Sequence, residues 1–92
     1  MANKYWSKEN ETYYLYFTQF YDPDLVAELY RDRFDDWNWL MRVDGYVVEN
    51  WQSLDEGLTL DEAKEEVERM IVEYVNSEIE WYKDFVEKWE DE

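Results

Sequence analysis

The sequence predicts an α+β fold in which a long C-terminal helix packs on one face of a small antiparallel sheet. Two observations favour the sheet: a run of β-forming residues over 12–21, and alternating apolar runs on either side of Asp44-Gly45. A third favours the helix, because a capping-box sequence at Thr59–Glu62 opens a long stretch with helical apolar spacing. With 92 residues the chain has the size of one domain, so residues 1–92 should share a single core.

The first third of the chain predicts a lead-in, a strand and a short helix. Residues 1–11 are polar and mixed in charge, and the strand over residues 12–21 has bulky side chains on both faces. Asp22 is typical of a helix N-cap and Pro23 of a first helical position, where its missing N–H costs nothing. Apolar residues at helical spacing then predict a short helix to about Arg33. These residues are Leu25, Val26, Leu29, Tyr30 and Phe34.

A β-hairpin around Asp44-Gly45 is the clearest local signal. Both central residues of a type I′ turn need positive φ, and Asp-Gly is one of the dipeptides that suit it. The implied cross-strand pairs are Val43–Tyr46, Met41–Val48 and Trp39–Asn50. The hairpin face expected to be core carries Trp37, Trp39, Met41, Val43, Tyr46 and Val48. The other face carries Asn38, Leu40, Arg42, Val47, Glu49 and Trp51.

A long amphipathic helix is predicted from Leu60 onward. Thr59 and Glu62 match a capping box, in which each side chain binds a backbone N–H near the other. An alternative prediction is that the helix breaks into two near residues 76–77, because Ser77 and Glu80 match a second capping box. The apolar stripe expected to pack on the sheet consists of Leu60, Ala63, Val67, Met70, Ile71, Tyr74, Val75, Trp81, Tyr82, Phe85 and Trp89.

The chain combines a large net charge with many aromatic residues. Its formal net charge is -16, and chains this acidic usually lack the apolar surface needed to fold. Six Trp, nine Tyr and four Phe supply that surface here. The like charges still repel one another and lower the stability of the compact state, so the acidic excess calls for a reason outside folding.

Composition disfavours several classes of function. The chain has neither Cys nor His, which removes disulfides, thiolate and imidazole metal ligands, and the commonest catalytic side chains. A domain of this size has little surface from which to form an enclosed substrate cleft, so we expect no enzyme, no cofactor and no dedicated metal site. The sequence has no apolar run of signal-peptide or membrane-span length, so we expect a soluble, cytoplasmic protein. Negative charge also disfavours direct binding to nucleic acid or to an anionic membrane.

Carboxylates are expected along the side of the long helix opposite its apolar stripe. This acidic row consists of Glu62, Glu65, Glu66, Glu73, Glu80, Asp84 and Glu87. Sixteen net charges over the roughly 32 Å width of a compact domain give about one charge per 2 Å, near the one per 1.7 Å of duplex DNA. A basic groove that accepts phosphates should accept such a surface. The acidic row therefore predicts a basic, nucleic-acid-binding protein as partner.

In size and charge the chain resembles the phage-encoded DNA-mimic inhibitors of the anti-restriction and anti-CRISPR class. The resemblance rests on the short chain, the absence of Cys, the acidic excess and the glutamates along residues 60–92. It implies a protein that occupies the nucleic-acid channel of a defence enzyme in the host cytoplasm and competes there with DNA or RNA. Those inhibitors share no common fold or motif, so the resemblance assigns no role to any single residue.

The surplus of aromatic residues keeps a second function open. Not all of them fit one core, so Tyr14, Tyr16 and Trp51 are expected to remain outside it and to anchor a protein partner. In this alternative the protein is an adaptor or subunit that binds through an aromatic sheet face, and its acidity only keeps it soluble. Homodimerisation through the long helix is a competing use of the same surplus, and a high-salt habitat is another account of the acidity.

Overall fold

The chain folds into a five-stranded antiparallel meander followed by one long helix. This computed structural model describes residues 3–18 and 21–91. The elements are β1 (Asn3–Glu9), β2 (Thr12–Thr18), β3 (Pro23–Arg31), β4 (Trp37–Val43), β5 (Tyr46–Ser53) and α1 (Leu60–Glu90). The strands lie in chain order within one sheet, and each pairs with its neighbours in sequence. The predicted α+β class, with the helix against the sheet, is confirmed.

The core lies between one face of the sheet and the first half of α1. Ala63 and Val67 are the two buried side chains of α1, and their small size lets the helix approach the sheet closely. The start of α1 is also tied to the sheet, because the Trp37 indole N–H donates a hydrogen bond to the Leu58 carbonyl at 2.9 Å. The buried cluster consists of Leu15, Ala27, Leu29, Trp37, Trp39, Met41, Leu54, Ala63 and Val67.

The predicted short helix is wrong, because residues 23–31 form the central strand β3. Leu15 pairs with Ala27 while the next residue, Tyr16, pairs with Leu25, so Val26 is an extra residue in the ladder. Such a bulge shifts the alternation of side chains and makes a strand look helical in sequence. Pro23 begins the strand, where its missing N–H is also tolerated. Hydrogen bonds to β2 and β4 outweigh the helical preference of a short, isolated segment.

The predicted lead-in is also wrong, because most of it forms the edge strand β1. Trp6 packs against the core from this strand, and the Tyr5 ring stacks on Tyr16 with centroids 5.3 Å apart. The strand predicted over residues 12–21 is confirmed for residues 12–18. Residues 19 and 20 lie outside the described residues, and Tyr21 lies in a bend.

The hairpin around Asp44-Gly45 is confirmed, with φ values of 51° and 83° at these two residues. Val43 pairs with Tyr46 as predicted, but the register beyond them is wrong. Two irregularities shift β4 against β5, and the resulting pairs are Met41–Glu49 and Trp39–Gln52. The sequence pattern does not reveal this shift, because both β4 and β5 remain extended on either side of it.

The predicted core face of the hairpin is correct only for the first residues of β4. Trp37, Trp39 and Met41 are buried, whereas Val43 and the two β5 residues of that face, Tyr46 and Val48, are exposed. The buried side chains of α1 lie in its first turns, so the helix does not enclose the tip of the hairpin. The alternation of apolar and polar residues predicted which side chains share one face of the hairpin. The position of α1 determines how much of that face is covered.

An aspartate organises the connection between β3 and β4. The Asp32 carboxylate accepts hydrogen bonds from the N–H groups of Phe34 and Asp36 at 2.8 and 3.0 Å, and from the Asn38 amide at 2.9 Å. The bond from the Asp36 N–H contributes most to holding the pKa of Asp32 below its usual range. The Asn38 oxygen accepts from the Ser53 hydroxyl at 2.9 Å, so this buried amide is hydrogen-bonded at both ends.

The helix α1 is unbroken over 31 residues. Its capping box is confirmed: the Glu62 N–H donates to the Thr59 hydroxyl at 3.2 Å, and the Thr59 N–H donates to the Glu62 carboxylate at 3.0 Å. The predicted option of a break near residues 76–77 is not realised, because Asn and Ser inside an established helix cost only a few tenths of a kcal/mol. At 1.5 Å per residue α1 is about 46 Å long, while a seven-residue strand spans about 23 Å. Its second half therefore extends beyond the sheet, and residues 79–91 are all exposed.

Truncating the centre of the core should destabilise the fold strongly. Leu29 is fully buried on the central strand, so Leu29→Ala should lower the free energy of unfolding by about 2–5 kcal/mol, measured by urea denaturation. The control Phe34→Ala removes an exposed side chain from a loop and should change it by less than about 0.5 kcal/mol. Equal effects of the two variants would contradict the assignment of β3 to the core.

Candidate protein-interaction surfaces

The continuous helix brings the acidic row onto one side of α1. At about 100° per residue, six of its members fall within a sector of about 60°, and Glu65 lies about 40° outside that sector. From Glu62 to Glu87 the row is about 38 Å long. Glu66 is half-buried and the other six residues are exposed. The predicted alignment of carboxylates along one edge of the molecule is therefore present.

Three members of the row already have partners within the chain. Glu62 closes the capping box, and the N–H of Thr59 holds the pKa of its carboxyl below the usual range. Arg69 lies between Glu66 and Glu73 and forms an ion pair with each. The hydrogen bond from Arg69 is the main cause that lowers the pKa of Glu66. The middle of the acidic row is consequently neutralised in part.

The distal end of the row is different, because its carboxylates face water. Glu80, Asp84 and Glu87 are exposed, and none of them forms an ion pair within the part of the chain that the structure describes. They lie on the part of α1 that extends past the sheet. The uncompensated negative charge of the row is thus concentrated on a projecting rod.

A second surface lies on the side of the sheet that faces away from α1. We call it the tyrosine face; its members are Tyr5, Tyr14, Tyr16, Tyr30 and Trp51. Trp51 and Tyr5 are exposed, whereas the other three are half-buried. Tyr30 and Trp51 meet edge to face with ring centroids 4.8 Å apart. The sheet register therefore brings together the three predicted anchors Tyr14, Tyr16 and Trp51, and adds two tyrosines that sequence reasoning did not single out.

An ion pair lies within the tyrosine face. The Arg42 guanidinium contacts the Glu28 carboxylate at 2.7 Å, and both side chains are mostly buried. Glu28 is the cross-strand neighbour of Tyr14 on one side and of Leu40, itself buried, on the other. Because these charges are already matched, the exposed character of this face is set by its aromatic rings.

The apolar stripe of α1 packs on the sheet only as far as Tyr74. Five members of the predicted stripe are exposed instead, which corrects that prediction: Val75, Trp81, Tyr82, Phe85 and Trp89. Three of the rings stack on one another along the helix, with centroids 5.7 Å apart for Trp81–Phe85 and 5.9 Å for Phe85–Trp89. The signal that could have revealed this is length, because the predicted strands are too short to cover such a helix.

A small depression lies between β5 and α1. Its volume is about 240 Å³, and Trp39, Glu49, Gln52 and Tyr74 are among its lining residues. Burial raises the pKa of Tyr74, and the nearby carboxylates of Glu78 and Glu49 add to the effect. The depression is below the usual size of a ligand pocket, which is roughly 300–1,000 Å³. Protein surfaces therefore remain the stronger candidates.

Among the described residues, α1 is not apolar enough over any long window to cross a bilayer. The same residues contain no group of three or more acidic, His or Cys side chains arranged to hold a metal ion. Compared with known protein families, curated proteins and solved structures, the chain matches none.

Removing Arg69 should restore the acidity of the middle of the row. In Arg69→Gln the pKa of Glu66 should rise toward its usual value of about 4.3, as measured by NMR titration of the side-chain carboxyl carbons. The lowered pKa stabilises the fold above the pKa of the unfolded chain, and this contribution is lost as the pH falls through the folded pKa. The variant should therefore lose less stability than the wild type on acidification.

The matched control for this titration is Lys88→Gln, which removes one positive charge further along α1. It should leave the pKa of Glu66 unchanged, because Lys88 is six turns away. A Glu66 pKa that stays the same in Arg69→Gln would contradict the ion pair described above.

Proposed function

We propose that this protein binds a basic, nucleic-acid-binding surface of another protein and competes there with DNA or RNA. The observation that carries the proposal is the projecting half of α1, where Glu80, Asp84 and Glu87 are exposed and without intrachain ion pairs among the described residues. Such a rod can enter a groove lined by Lys and Arg without first breaking contacts of its own. The protein acts as a binder and not as a catalyst.

Charge spacing supports the same proposal. The seven carboxylates lie at roughly one per 5 Å over about 38 Å of helix, somewhat wider than the 3.4 Å per phosphate along one DNA strand, and Arg69 offsets two of them in part. The whole chain adds a net charge of -16, whose long-range field accelerates encounter with a basic partner. The class of partner that fits is a nucleic-acid-processing enzyme, such as a defence enzyme in the cytoplasm of a phage-infected host.

Neutralising the projecting carboxylates should weaken this binding. Immobilised protein would be exposed to a nuclease-treated bacterial extract, and the captured proteins eluted with a salt gradient or with duplex DNA. The variant Glu80→Gln/Asp84→Asn/Glu87→Gln should capture about tenfold less of them. Wild-type capture should fall steeply from 0.1 to 1 M salt, because the Debye length shrinks from about 10 to 3 Å.

The control for the carboxylate variant carries the same change of charge elsewhere. Asp22→Asn/Asp55→Asn/Glu56→Gln neutralises three exposed acids that lie outside α1 and should retain capture. Equal losses of captured protein in the two variants would show that capture depends on total charge and not on the position of the carboxylates. Captured proteins that respond neither to salt nor to duplex DNA would overturn the proposal of competition.

A second candidate function is an adaptor that binds its partner through the tyrosine face. The specific observation in its favour is that five aromatic rings share a sheet face on which α1 does not pack. Tyr and Trp are enriched among the residues that dominate binding energy at protein interfaces. In this function the acidic residues serve solubility only.

The adaptor function predicts sensitivity to aromatic truncation. Trp51→Ala/Tyr5→Ala should weaken capture at least about 30-fold, because hot-spot truncations cost 2 kcal/mol or more, while salt should have little effect. The control Tyr21→Ala/Phe34→Ala removes two exposed rings from outside the tyrosine face and should bind normally. Normal binding by the Trp51 and Tyr5 variant would exclude this face as the contact surface.

A further inference from the structure

A second apolar stripe runs along the exposed half of α1, separate from the residues that contact the sheet. Its members follow one another at alternating intervals of three and four residues, which is the heptad spacing of helices that pair with other helices. We call this the heptad stripe; it consists of Val72, Val75, Ile79, Tyr82, Val86 and Trp89, and all six are exposed. At about 100° per residue its centre lies roughly 135° around the helix from the acidic row.

The exposed area of the stripe reaches the lower limit for a specific contact. Its two rings, Tyr82 and Trp89, are 58% and 73% exposed. Since an aromatic side chain can bury 150–250 Å², these two rings offer about 250 Å² per chain. The four half-exposed aliphatic members bring the total to about 500 Å² per partner, or about 1,000 Å² for the pair, which is the smallest size expected of a specific interface. An exposed apolar patch of this size marks an interaction surface.

The shape of the stripe fits the side chains of another helix. A shallow depression of about 500 Å³ is lined by Ile79, Tyr82, Lys83 and Val86, together with Glu87. The first four have the spacing i, i+3, i+4 and i+7, which is the four-residue hole that receives one side chain from a facing helix. The surface is therefore preformed for helix pairing and not only apolar.

The order of small and large residues shows that the stripe is complementary to itself. When two copies are aligned antiparallel about a point between Ile79 and Tyr82, the facing pairs are Val72–Trp89, Val75–Val86 and Ile79–Tyr82. Two of the three layers then oppose an aliphatic residue to an aromatic one, which fills space evenly. A parallel alignment would instead oppose Trp89 to Trp89 and Val72 to Val72.

We infer that the heptad stripe is the contact between two copies of this chain, paired as antiparallel helices around a twofold axis. A twofold contact requires one surface that matches itself, and the heptad stripe has this property. None of its six residues is charged, and of the acidic row only Glu87 reaches the edge of the contact, where it lines the depression beside Lys83. Each copy carries a net charge of -16, and the dimer should therefore tighten as added salt screens the repulsion.

Sedimentation equilibrium tests the dimer directly. At tens of micromolar in 0.3 M salt the wild type should sediment at twice the 11.6 kDa of one chain. Ile79→Lys/Val86→Lys should be monomeric, although the added Lys lowers the repulsion between copies. Both residues are exposed and beyond the sheet, so circular dichroism should show an intact fold. A monomeric wild type, or a dimeric lysine variant, would overturn the inference.

A matched control places the same lysines on the other side of the helix. Glu80→Lys/Asp84→Lys should remain dimeric, because these residues belong to the acidic row and line neither the heptad stripe nor its depression. Loss of the dimer in this control would show that the contact lies on the acidic side of α1, and it would overturn the inference. Salt also separates this inference from the proposed function, because salt should strengthen the dimer and weaken binding to a basic partner.

The antiparallel direction has its own measurement. The chain has no Cys, so Glu90→Cys provides a single position for a spin label. In the antiparallel dimer the two labelled positions lie about 30 Å apart along the helices, whereas in a parallel dimer they lie about 10 Å apart. Pulsed electron paramagnetic resonance distinguishes these distances. A dimer with the short distance would overturn the antiparallel arrangement.

Discussion

The difference in length between α1 and the sheet determines most of the surface of this molecule. The sheet can bury only the first half of the helix, where Ala63 and Val67 contact the aromatic residues of β4. The helix nevertheless continues for four more turns beyond Tyr74, and those turns carry four aromatic rings and three aliphatic side chains for which the sheet has no room. Both the exposed apolar stripe and the exposed end of the acidic row follow from this one constraint.

Three cationic residues make contacts where α1 lies on or close to the sheet. Where α1 lies on the sheet, Lys4 contacts Glu68 at 2.9 Å, and Lys64 lies over the rings of Trp6 and Tyr13 at 5.8 and 5.3 Å. Arg69 bridges the middle of the acidic row. These contacts offset part of the self-repulsion of a strongly acidic chain where it must stay compact. Beyond the sheet, Lys83 and Lys88 are the cationic residues of α1, and neither forms an ion pair with a carboxylate among the described residues.

Sequence reasoning succeeded where the structure is decided by neighbouring residues. Positive φ at Asp44-Gly45 and the paired hydrogen bonds of Thr59 and Glu62 are local properties, and both are present as predicted. It failed at β3, because the bulge at Val26 and the flanking strands are properties of the whole sheet. The edge strand β1 was missed for the same reason: its polar residues are tolerated only because a neighbouring strand supplies the hydrogen bonds.

The candidate surfaces were predictable to different degrees. Helical periodicity was enough to align the acidic row, and strand alternation placed Tyr14 and Tyr16 together, but the alignment with Tyr30 and Trp51 needed the order of all five strands. The exposure of the distal helix required knowing where the sheet ends.

The heptad stripe and the acidic row of α1 can contact different partners at the same time. A heptad contact between two copies would cover the heptad stripe of each rod and leave most of its carboxylates outside, because the centres of the two sectors lie roughly 135° apart around α1. Two acidic rows would then flank one rigid helical pair, which carries twice the charge of a single chain on a narrow body. Pairing of the apolar sides would therefore strengthen the electrostatic property on which binding to a basic groove depends.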